Sequence, residues 1–496
     1  MNSFREKHNL LTICSSSMEN EIHNKRWGAS IAKYGIWYLL SSIITKGLGI
    51  ILLPVYTKYL TPDDYGLLQT LNSVAAFLPF VLSLSLDSAF ARYYHEVKYD
   101  KNKMALLYST VYWFVFLYGS VILIITFLSA DYWLEDFLTV SVFPYAYLVF
   151  IPVLLNQLAL LGRTFLQQAL ETKKSTILDI CSTLLNAGLS VLLLVCFNLG
   201  VMSRLLGIAL GSVFLFVFYH FYFLKNGLLR FCFSKECLLK CLSYSLPMLP
   251  AMAGSWISSM SDRLVIAKYC SMASVGLYSL AFQLGQILYL VGDAITRVVG
   301  PLIMSGLISD SENTKSKIAN SAYQIFVLML FANLCLFVFA DEIIKIFADE
   351  AYYGAALFIP LFGFNYVLGM QQRYPVSIIS FKKKTWIISA GCILMACLNL
   401  ALNLAFVPSY GYEFSVWASV AANLFYCIWS FVWGQRFEVI NYKFKQSVFA
   451  LIVFLIVVFA SYYTLNLLAI SGIKLLLIKI LVITIFGLFA YNSLKK

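Results

Sequence analysis

Charged side chains stand inside several long apolar runs of this chain, where each charge needs water or a polar partner. Lys46 lies near the middle of the first run, with Ser42, Thr45 and Gly49 at helical spacing beside it. These residues predict a narrow polar strip on an otherwise apolar helix. Ionisable residues inside a membrane are functional candidates by default, and the alternative for Lys46 is a structural ion pair with an acid on a neighbouring helix.

A second polar strip is predicted between residues 275 and 301. Its members are Gln283, Gln286, Asp293 and Arg297. At about 100° per residue they fall within an arc of about 80° on one helix, so this face should line a polar interior. Asp293 and Arg297 are also four residues apart, and the alternative is that they neutralise each other as a local pair.

Two further groups of charges lie at predicted helix ends. Asp262 and Arg263 close the predicted seventh run, where the functional hypothesis is a gate or a carboxylate that a coupling ion titrates. The alternative is a charged helix end at the lipid headgroups. Asp87 and Arg92 follow the second run beside aromatic residues, and we expect them to anchor the interface or to form a gate.

Membrane-spanning helices are the elements that must hold these residues. Of the 496 residues, 61% are hydrophobic and 12% are charged, and the mean hydropathy is +0.81. An ordinary soluble domain carries roughly 25% charged residues. We therefore predict an all-α integral membrane protein of about fourteen spans, because apolar runs of about 20 residues recur along the chain. The runs lie near residues 34–54, 66–86, 105–129, 137–160, 177–198, 201–224, 243–262, 275–301, 320–340, 352–371, 386–407, 414–434, 446–468 and 473–492.

Basic charge is distributed unequally over alternate loops. The side that holds the N-terminus collects about 27 Lys and Arg residues, against about 6 on the opposite side. This bias predicts that both termini are cytoplasmic. The count treats Lys46, Arg297 and Lys479 as the basic residues inside predicted spans, and it includes Arg204 and Lys474, in the first turns of their runs, with the adjoining loops.

A short internal repeat relates two parts of the chain. Residues 58–67 read KYLTPDDYGL and residues 268–277 read KYCSMASVGL, with four identities at an offset of 210. A fainter echo relates the region of Asn186 to that of Asn399. Because the offset spans an even number of crossings, the repeat is parallel and predicts two six-helix lobes. The predicted domains are a cytosolic extension (1–33), a first lobe (34–224), a cytoplasmic linker (225–242), a second lobe (243–434), and two added helices with a short tail (435–496).

Several other classes of site find no support in the sequence. Most of the eleven cysteines lie within apolar runs, and the spacing of Cys232, Cys237 and Cys241 matches no familiar zinc pattern. The basic residues are spread over short loops rather than gathered in one patch, which argues against nucleic acid as a partner. No P-loop pattern is present, so we expect neither direct use of ATP nor a cofactor.

Two stretches carry a family resemblance. ITKGLGIILLPVYTKYLTPDDYG and the following ARYY, between residues 43 and 94, resemble the N-terminal region of polysaccharide-biosynthesis flippases. SWISSMSDRLVIAKY and ASVGLYSLAFQLGQIL, within residues 255–288, resemble the seventh and eighth helices of the same family. These are the Wzx-type flippases of the multidrug/oligosaccharidyl-lipid/polysaccharide exporter superfamily, and the resemblance covers nearly the whole chain.

The resemblance implies two lobes around a central cavity and transport by alternating access in a bacterial inner membrane. The implied substrate is an undecaprenyl-diphosphate-linked glycan, such as an O-antigen or capsular repeat unit, moved from the cytoplasmic to the periplasmic leaflet. The implied partners are membrane lipids, a glycan polymerase and a chain-length regulator. Since no ATP-binding pattern is present, a proton gradient, a sodium gradient or the membrane potential must drive transport.

Such a substrate needs cations for its phosphates and hydrogen-bonding groups for its sugars. The predicted roles follow from that need. The cavity candidates are Lys46, Arg263, Gln283, Gln286, Asp293 and Arg297, and the candidates for ion coupling or a gate are Asp262, Asp87 and Arg92.

Two other functions stay open. A membrane glycan polymerase or ligase also meets polyprenyl-linked sugars, but the predicted outer loops are short and all four histidines lie in or near predicted cytoplasmic regions. A cation-coupled small-molecule exporter of the same superfamily would share the lobes, although about twelve spans would suit it better.

Overall fold

A computed structural model describes residues 44–45, 47–132, 143–309, 312–467 and 473–495. Every regular element in these ranges is a helix. The α-helices that follow the helical residues 47–51 are α1 Leu53–Tyr59, α2 Pro62–Ser83, α3 Leu86–Val97, α4 Lys101–Leu128, α5 Tyr145–Gln168, α6 Thr172–Phe197, α7 Val201–Lys225, α8 Lys235–Ser245, α9 Leu249–Tyr269, α10 Met272–Gly285, α11 Ile287–Ser309, α12 Glu312–Val338, α13 Ala340–Phe347, α14 Ile359–Phe381, α15 Thr385–Tyr410, α16 Glu413–Phe437, α17 Phe444–Leu467 and α18 Ile473–Lys495. Two 3-10 helices, Leu246–Met248 and Glu350–Phe358, precede α9 and α14.

Eleven segments within the described ranges are long and apolar enough to cross a membrane. The prediction of an all-α, multi-pass membrane protein is therefore confirmed. Three of the fourteen predicted spans are not among the eleven. The first falls largely outside the described residues, α9 carries several charged residues, and α18 contains only the shorter apolar stretch Leu477–Ser493.

The helices α2 and α10 begin with similar side-chain caps. Thr61 Oγ1 accepts a hydrogen bond from the Asp64 N–H, and the Asp64 carboxylate accepts one from the Thr61 N–H. Ser271 Oγ accepts from the N–H of Ser274. Such caps satisfy N–H groups that have no partner within the first turn of a helix. Thr61 and Ser271 are 210 positions apart, which is the offset of the predicted repeat.

The helices pack into two halves and a C-terminal pair. In the first half, α1–α7, α7 packs on α5 and α6, and in the second half, α9–α16, α16 packs on α14 and α15. The C-terminal pair, α17 and α18, packs on α12. Between the halves, α2 packs on α10 and α9. The domain limits read from the sequence stay predictions.

Buried apolar side chains form three clusters in the described chain. One lies in the first half around Tyr108 and Phe223, and another joins the second half to the C-terminal pair around Leu330 and Phe486. The third contains residues from both halves, including Leu71 of α2. Lipid tails are as apolar as these side chains, so close packing must hold membrane helices together. The contact between the halves consequently depends on how closely α2 fits α10 and α9.

Lys479, one of the three basic residues predicted inside a span, has a structural partner. Its Nζ lies 2.6 Å from Glu342 Oε1, and the lysine side chain is only 3% exposed. Glu342 is 42% exposed, so removing its carboxylate would leave only the buried lysine charge without compensation. The pair therefore ties α18 to α13.

Candidate functional site

The two halves meet where the two copies of the repeat cross. A Cβ atom added at Gly66 would overlap the carbonyl oxygen of Met272, and one added at Gly276 would overlap the carbonyl oxygen of Pro62. Only glycine therefore lets the first turns of α2 and α10 approach this closely. The two glycines are the residues that the repeat pairs at its offset of 210. We call this crossing the glycine joint.

Polar contacts between the halves surround the glycine joint. Asp63 Oδ1 accepts a 2.9 Å hydrogen bond from the Ala273 N–H, so a carboxylate of the first half caps a helix of the second half. Tyr352 donates from its hydroxyl to the carbonyl oxygen of Leu60 at 2.9 Å. Each contact uses a backbone group at a helix end, which would otherwise lack a partner. Opening the joint would expose these groups.

A second set of contacts continues along α2 away from the joint. Tyr65 donates from its hydroxyl to Gln283 Oε1 at 2.7 Å, and Gln283 Nε2 donates to the Gly49 carbonyl at 3.1 Å. Further along, Trp256 Nε1 donates to the carbonyl oxygen of Ser73 at 3.0 Å. Gln283 thus connects α10 of the second half to two segments of the first half.

Asp262 is the centre of a buried polar cluster in the second half. Its carboxylate is 3% exposed and accepts hydrogen bonds from Tyr278 Oη at 2.5 Å, Asn403 Nδ2 at 2.9 Å and Ser419 Oγ at 3.0 Å. These four residues come from α9, α10, α15 and α16. Because the helices are otherwise largely apolar, the cluster fixes the relative position of all four at one point. Asp262 does not stand at the end of its helix, since α9 continues to Tyr269, and its depth in the membrane stays a prediction.

Arg263, the neighbour of Asp262, is buried among neutral partners. It is 4% exposed, and it donates from Nε to Ser279 Oγ at 3.0 Å and from Nη1 to the Ser259 carbonyl at 2.9 Å. The guanidinium carbon lies 4.7 Å from the centroid of the Phe282 ring, within the range of a cation–π interaction. No carboxylate of the described residues lies within 4.0 Å of it. Arg263 likewise lies within α9 rather than at its end, and its depth in the membrane stays a prediction.

A cavity of about 430 Å³ adjoins this cluster within the second half. Asp262 and Phe282 form part of its wall, and polar side chains are spread over the rest. The polar wall residues are Ser258, Ser259, Asp293, Asn365, Gln372, Arg373, Ser419 and Asn423. The amide and hydroxyl groups of this wall can form hydrogen bonds with the hydroxyl groups of a sugar, and Arg373 adds a positive charge.

A smaller cavity, of about 110 Å³, lies in the first half and reaches the contact with α10. Arg204 of α7 lines it, donating from Nη1 to Asn186 Oδ1 at 2.8 Å and packing its guanidinium 5.3 Å from the centroid of the Tyr56 ring. Gln283 of the second half closes the cavity. The Arg204 and Arg263 guanidinium groups both interact electrostatically with the Tyr65 hydroxyl. We call this the Arg204 cavity.

The predicted polar strip on the eighth span crosses from α10 to α11. α10 ends at Gly285 and α11 begins at Ile287, but the Gln286 N–H donates to the Phe282 carbonyl at 3.0 Å and the Leu290 N–H donates to the Gln286 carbonyl at 3.3 Å, so helical hydrogen bonds continue through this residue. Beside it, a Cβ on Gly285 would lie 2.6 Å from Phe362 Cβ, which shows how closely α14 packs there. The expectation of one polar face from Gln283 to Arg297 stays a prediction.

The residues of that strip have different neighbours. Gln283 contacts the first half, half-buried Gln286 lies between α10 and α11, and Asp293 lines the large cavity. The backbone of Arg297 belongs to α11, but its side chain lies outside the described residues. The proposed local pair of Asp293 with Arg297 consequently stays a prediction.

The remaining predicted site residues do not join these cavities within the described chain. Arg92 forms an exposed ion pair with Glu96, 2.9 Å apart, and Asp87 is half-buried at the start of α3. Lys46 lies outside the described residues, although its sequence neighbours Thr45 and Gly49 line the Arg204 cavity. The roles assigned to these residues stay predictions.

Sequence reasoning missed several residues that the structure places in the Arg204 cavity, in the Asp262 cluster or in an ion pair between helices. Arg204 was assigned to a loop because it lies only one turn inside α7. Arg163 was assigned likewise, yet it lies within α5 and pairs with Asp179 at 2.9 Å. Asn403 carried a usable signal, since it stands four residues after Asn399 in an apolar helix and so shares its face.

Comparison with known proteins gives the chain its relatives. The family described as polysaccharide biosynthesis protein matches residues 55–357. Lsg locus putative protein 1 of Haemophilus influenzae is 22% identical over 375 residues, covering 75% of this chain and 90% of that protein. The succinoglycan biosynthesis transport protein ExoT of Rhizobium meliloti is 26% identical over 262 residues, covering 51% of this chain and 49% of that protein.

A solved structure shares the fold. The lipid II flippase MurJ in an inward closed conformation matches with a TM-score of 0.69 at 17% identity, covering 94% of this chain and all of that chain. The likeness extends over nearly every helix described above. It places the two halves and the C-terminal pair within one known architecture.

Proposed function

Because this chain belongs to the polysaccharide biosynthesis protein family, we propose that it is a flippase for a polyprenyl-diphosphate-linked glycan. The protein spans the membrane many times, and its relatives and structural neighbours include a transport protein and a flippase. In this proposal, the glycan crosses a bacterial inner membrane from the cytoplasmic to the periplasmic leaflet. O-antigen or capsular repeat units are the expected cargo.

The observation that carries the proposal is the polar, cationic interior next to the glycine joint. Arg263 is buried and forms no ion pair within 4.0 Å among the described residues, and Arg373 lines a cavity rich in amide and hydroxyl groups. A lipid-linked glycan presents phosphates to such cations and hydroxyl groups to such amides. The apolar lipid tail stays in the bilayer, so the interior needs to enclose only the polar head.

The close contact of the two halves at the glycine joint supports transport by alternating access. Gly66 and Gly276 hold the two halves together at the Thr61/Ser271 end, and the hydrogen bonds around them would break when the halves part. With cytoplasmic termini, as the distribution of basic residues predicts, this end faces the periplasm. Parting of the glycine joint would then open the interior to the outer leaflet.

The Asp262 cluster supports coupling to an ion. Oxygen atoms of Asp262, Tyr278 and Ser419 converge there from three helices, and hard cations such as sodium prefer oxygen ligands. A proton or a sodium ion would neutralise the buried carboxylate and so alter how tightly the four helices are held. Transport driven in this way needs no ATP site.

Replacement of Asp262 tests the coupling. Asp262→Asn keeps the size of the side chain and removes its charge, so the protein should insert normally while transport falls at least tenfold and no longer responds to a sodium or proton gradient. The measurement is glycan transport in proteoliposomes with an imposed gradient. Ser243→Ala, on an exposed α8 side chain that bonds its own helix, is the control. If transport by Asp262→Asn still responds to the gradient, Asp262 is not part of the coupling site.

A cation-coupled exporter of small molecules is the alternative function, since it would use the same two halves. The two functions differ in their cargo. If the purified protein in vesicles moves organic cations but not a lipid-linked glycan, the flippase proposal is wrong and the exporter stands.

A further inference from the structure

The cations inside the helices differ in the partners that hold them. Arg163 lies 2.9 Å from the Asp179 carboxylate, and Lys479 lies 2.6 Å from Glu342. Arg204, in contrast, donates only to the neutral oxygens of Asn186 and Ser190 and packs on the ring of Tyr56. No carboxylate of the described residues lies within 4.0 Å of its guanidinium. Its positive charge therefore remains available to an anion.

The Arg204 cavity suits a small group with many acceptor atoms. Its volume, about 110 Å³, is about a quarter of that of the second-half cavity, which excludes an oligosaccharide. Around Arg204 the polar wall is formed by hydroxyl and amide side chains, which can donate hydrogen bonds. These are Thr45, Gln69, Asn72 and Thr183. Guanidinium with surrounding amide donors is the chemistry that recognises phosphate groups.

The cavity also needs both halves to be complete. Its wall includes Gln283 of the second half, which is held there by Tyr65 and the Gly49 carbonyl. Gln283 stands on α10, the helix whose first turn forms the glycine joint. When the joint parts, α10 moves away from α2 and this wall is lost.

We propose that the Arg204 cavity binds the diphosphate of an isoprenoid-linked substrate while the glycine joint is closed, and that parting of the joint dismantles the site and releases the diphosphate. The proposal rests on the proposed function, whose substrate carries this group. It assigns Arg204 a role in holding substrate at the Thr61/Ser271 end of the interior. Release is then a direct result of the movement that opens that end.

Binding to the purified full-length protein in detergent tests the site. The probes are farnesyl diphosphate, inorganic pyrophosphate and phosphatidylglycerol, measured by isothermal titration calorimetry. We expect Arg204→Gln to weaken farnesyl diphosphate binding at least tenfold, Arg204→Lys to weaken it less, and Arg230→Gln, on an exposed linker arginine, to leave it unchanged. Binding by Arg204→Gln within twofold of wild type would overturn the assignment, as would equally tight, Arg204-dependent binding of phosphatidylglycerol.

A second variant tests the dependence on the joint. Gly66→Val lies outside the cavity wall but holds α2 and α10 apart, so it should weaken farnesyl diphosphate binding at least fivefold even if Arg204→Gln fails to fold. Wild-type affinity in Gly66→Val would show that the site does not need the joint. If binding depends on Arg204 but the protein moves no glycan, the proposed function is wrong and this inference stands. If the protein moves glycan but Arg204→Gln binds farnesyl diphosphate as wild type does, this inference is wrong and the proposed function stands.

Discussion

At the scale of single residues, the buried charges of the described chain fall into two groups. Some form ion pairs, and others have only neutral hydrogen-bond partners and lie at or beside the cavities. Lys46 is predicted to belong to that group. Lys46→Ala should abolish transport without preventing insertion, because the substrate phosphates lose a cation, whereas Lys46→Arg should retain part of the activity. Glycan transport normalised to the inserted protein measures this. Normal transport by Lys46→Ala would end the assignment of Lys46 to the pathway.

A second residue-scale prediction concerns Glu438, which lies between α16 and α17. Lys315 and Lys382 hold its carboxylate through contacts of 2.6 and 2.7 Å, and they lower its pKa. A carboxylate with a lowered pKa stabilises the fold above its ordinary pKa, and this contribution disappears as the pH falls through the lowered value. Glu438→Gln should therefore lower Tm by roughly 1–3 °C at neutral pH.

The pH dependence provides the control for Glu438. The difference in Tm between wild type and Glu438→Gln should shrink as the pH is lowered below the ordinary glutamate range, because the wild-type carboxylate becomes protonated as well. Glu350→Gln, at an exposed glutamate distant from this triad, should match wild type at each pH. A difference that persists unchanged in acid would exclude the two ion pairs as its cause.

At the scale of the helices, the glycine joint depends on the absence of side chains at two positions. Gly66→Val should hold the halves apart, because its side chain would overlap the carbonyl of Met272. Gly188→Val is the matched control, since an added Cβ there meets nothing within 4 Å. Distances between spin labels on α2 and α10 should lengthen in Gly66→Val alone. Equal distances in both variants would show that the crossing tolerates side chains.

Helix positions were largely predictable from the sequence, and helix contacts were not. Apolar runs located the helices because a membrane span needs length and apolarity, both of which are local properties. The repeat identified Gly66 and Gly276 as equivalent, but only folding brings them against each other. The close packing of Gly285 on Phe362 was not predictable, because it involves residues far apart in sequence. Arg204 was missed because it stands in the first turn of its predicted run and was counted with the adjoining loop.

At the scale of the whole molecule, the account has one central claim, that the two halves carry a lipid-linked glycan between leaflets. The most direct measurement is the leaflet in which the lipid-linked repeat unit accumulates in cells lacking this protein. We predict accumulation facing the cytoplasm, reversed by the wild-type chain. If the repeat unit instead reaches the periplasmic leaflet and only fails to be polymerised or attached, the protein acts after translocation and the claim is contradicted.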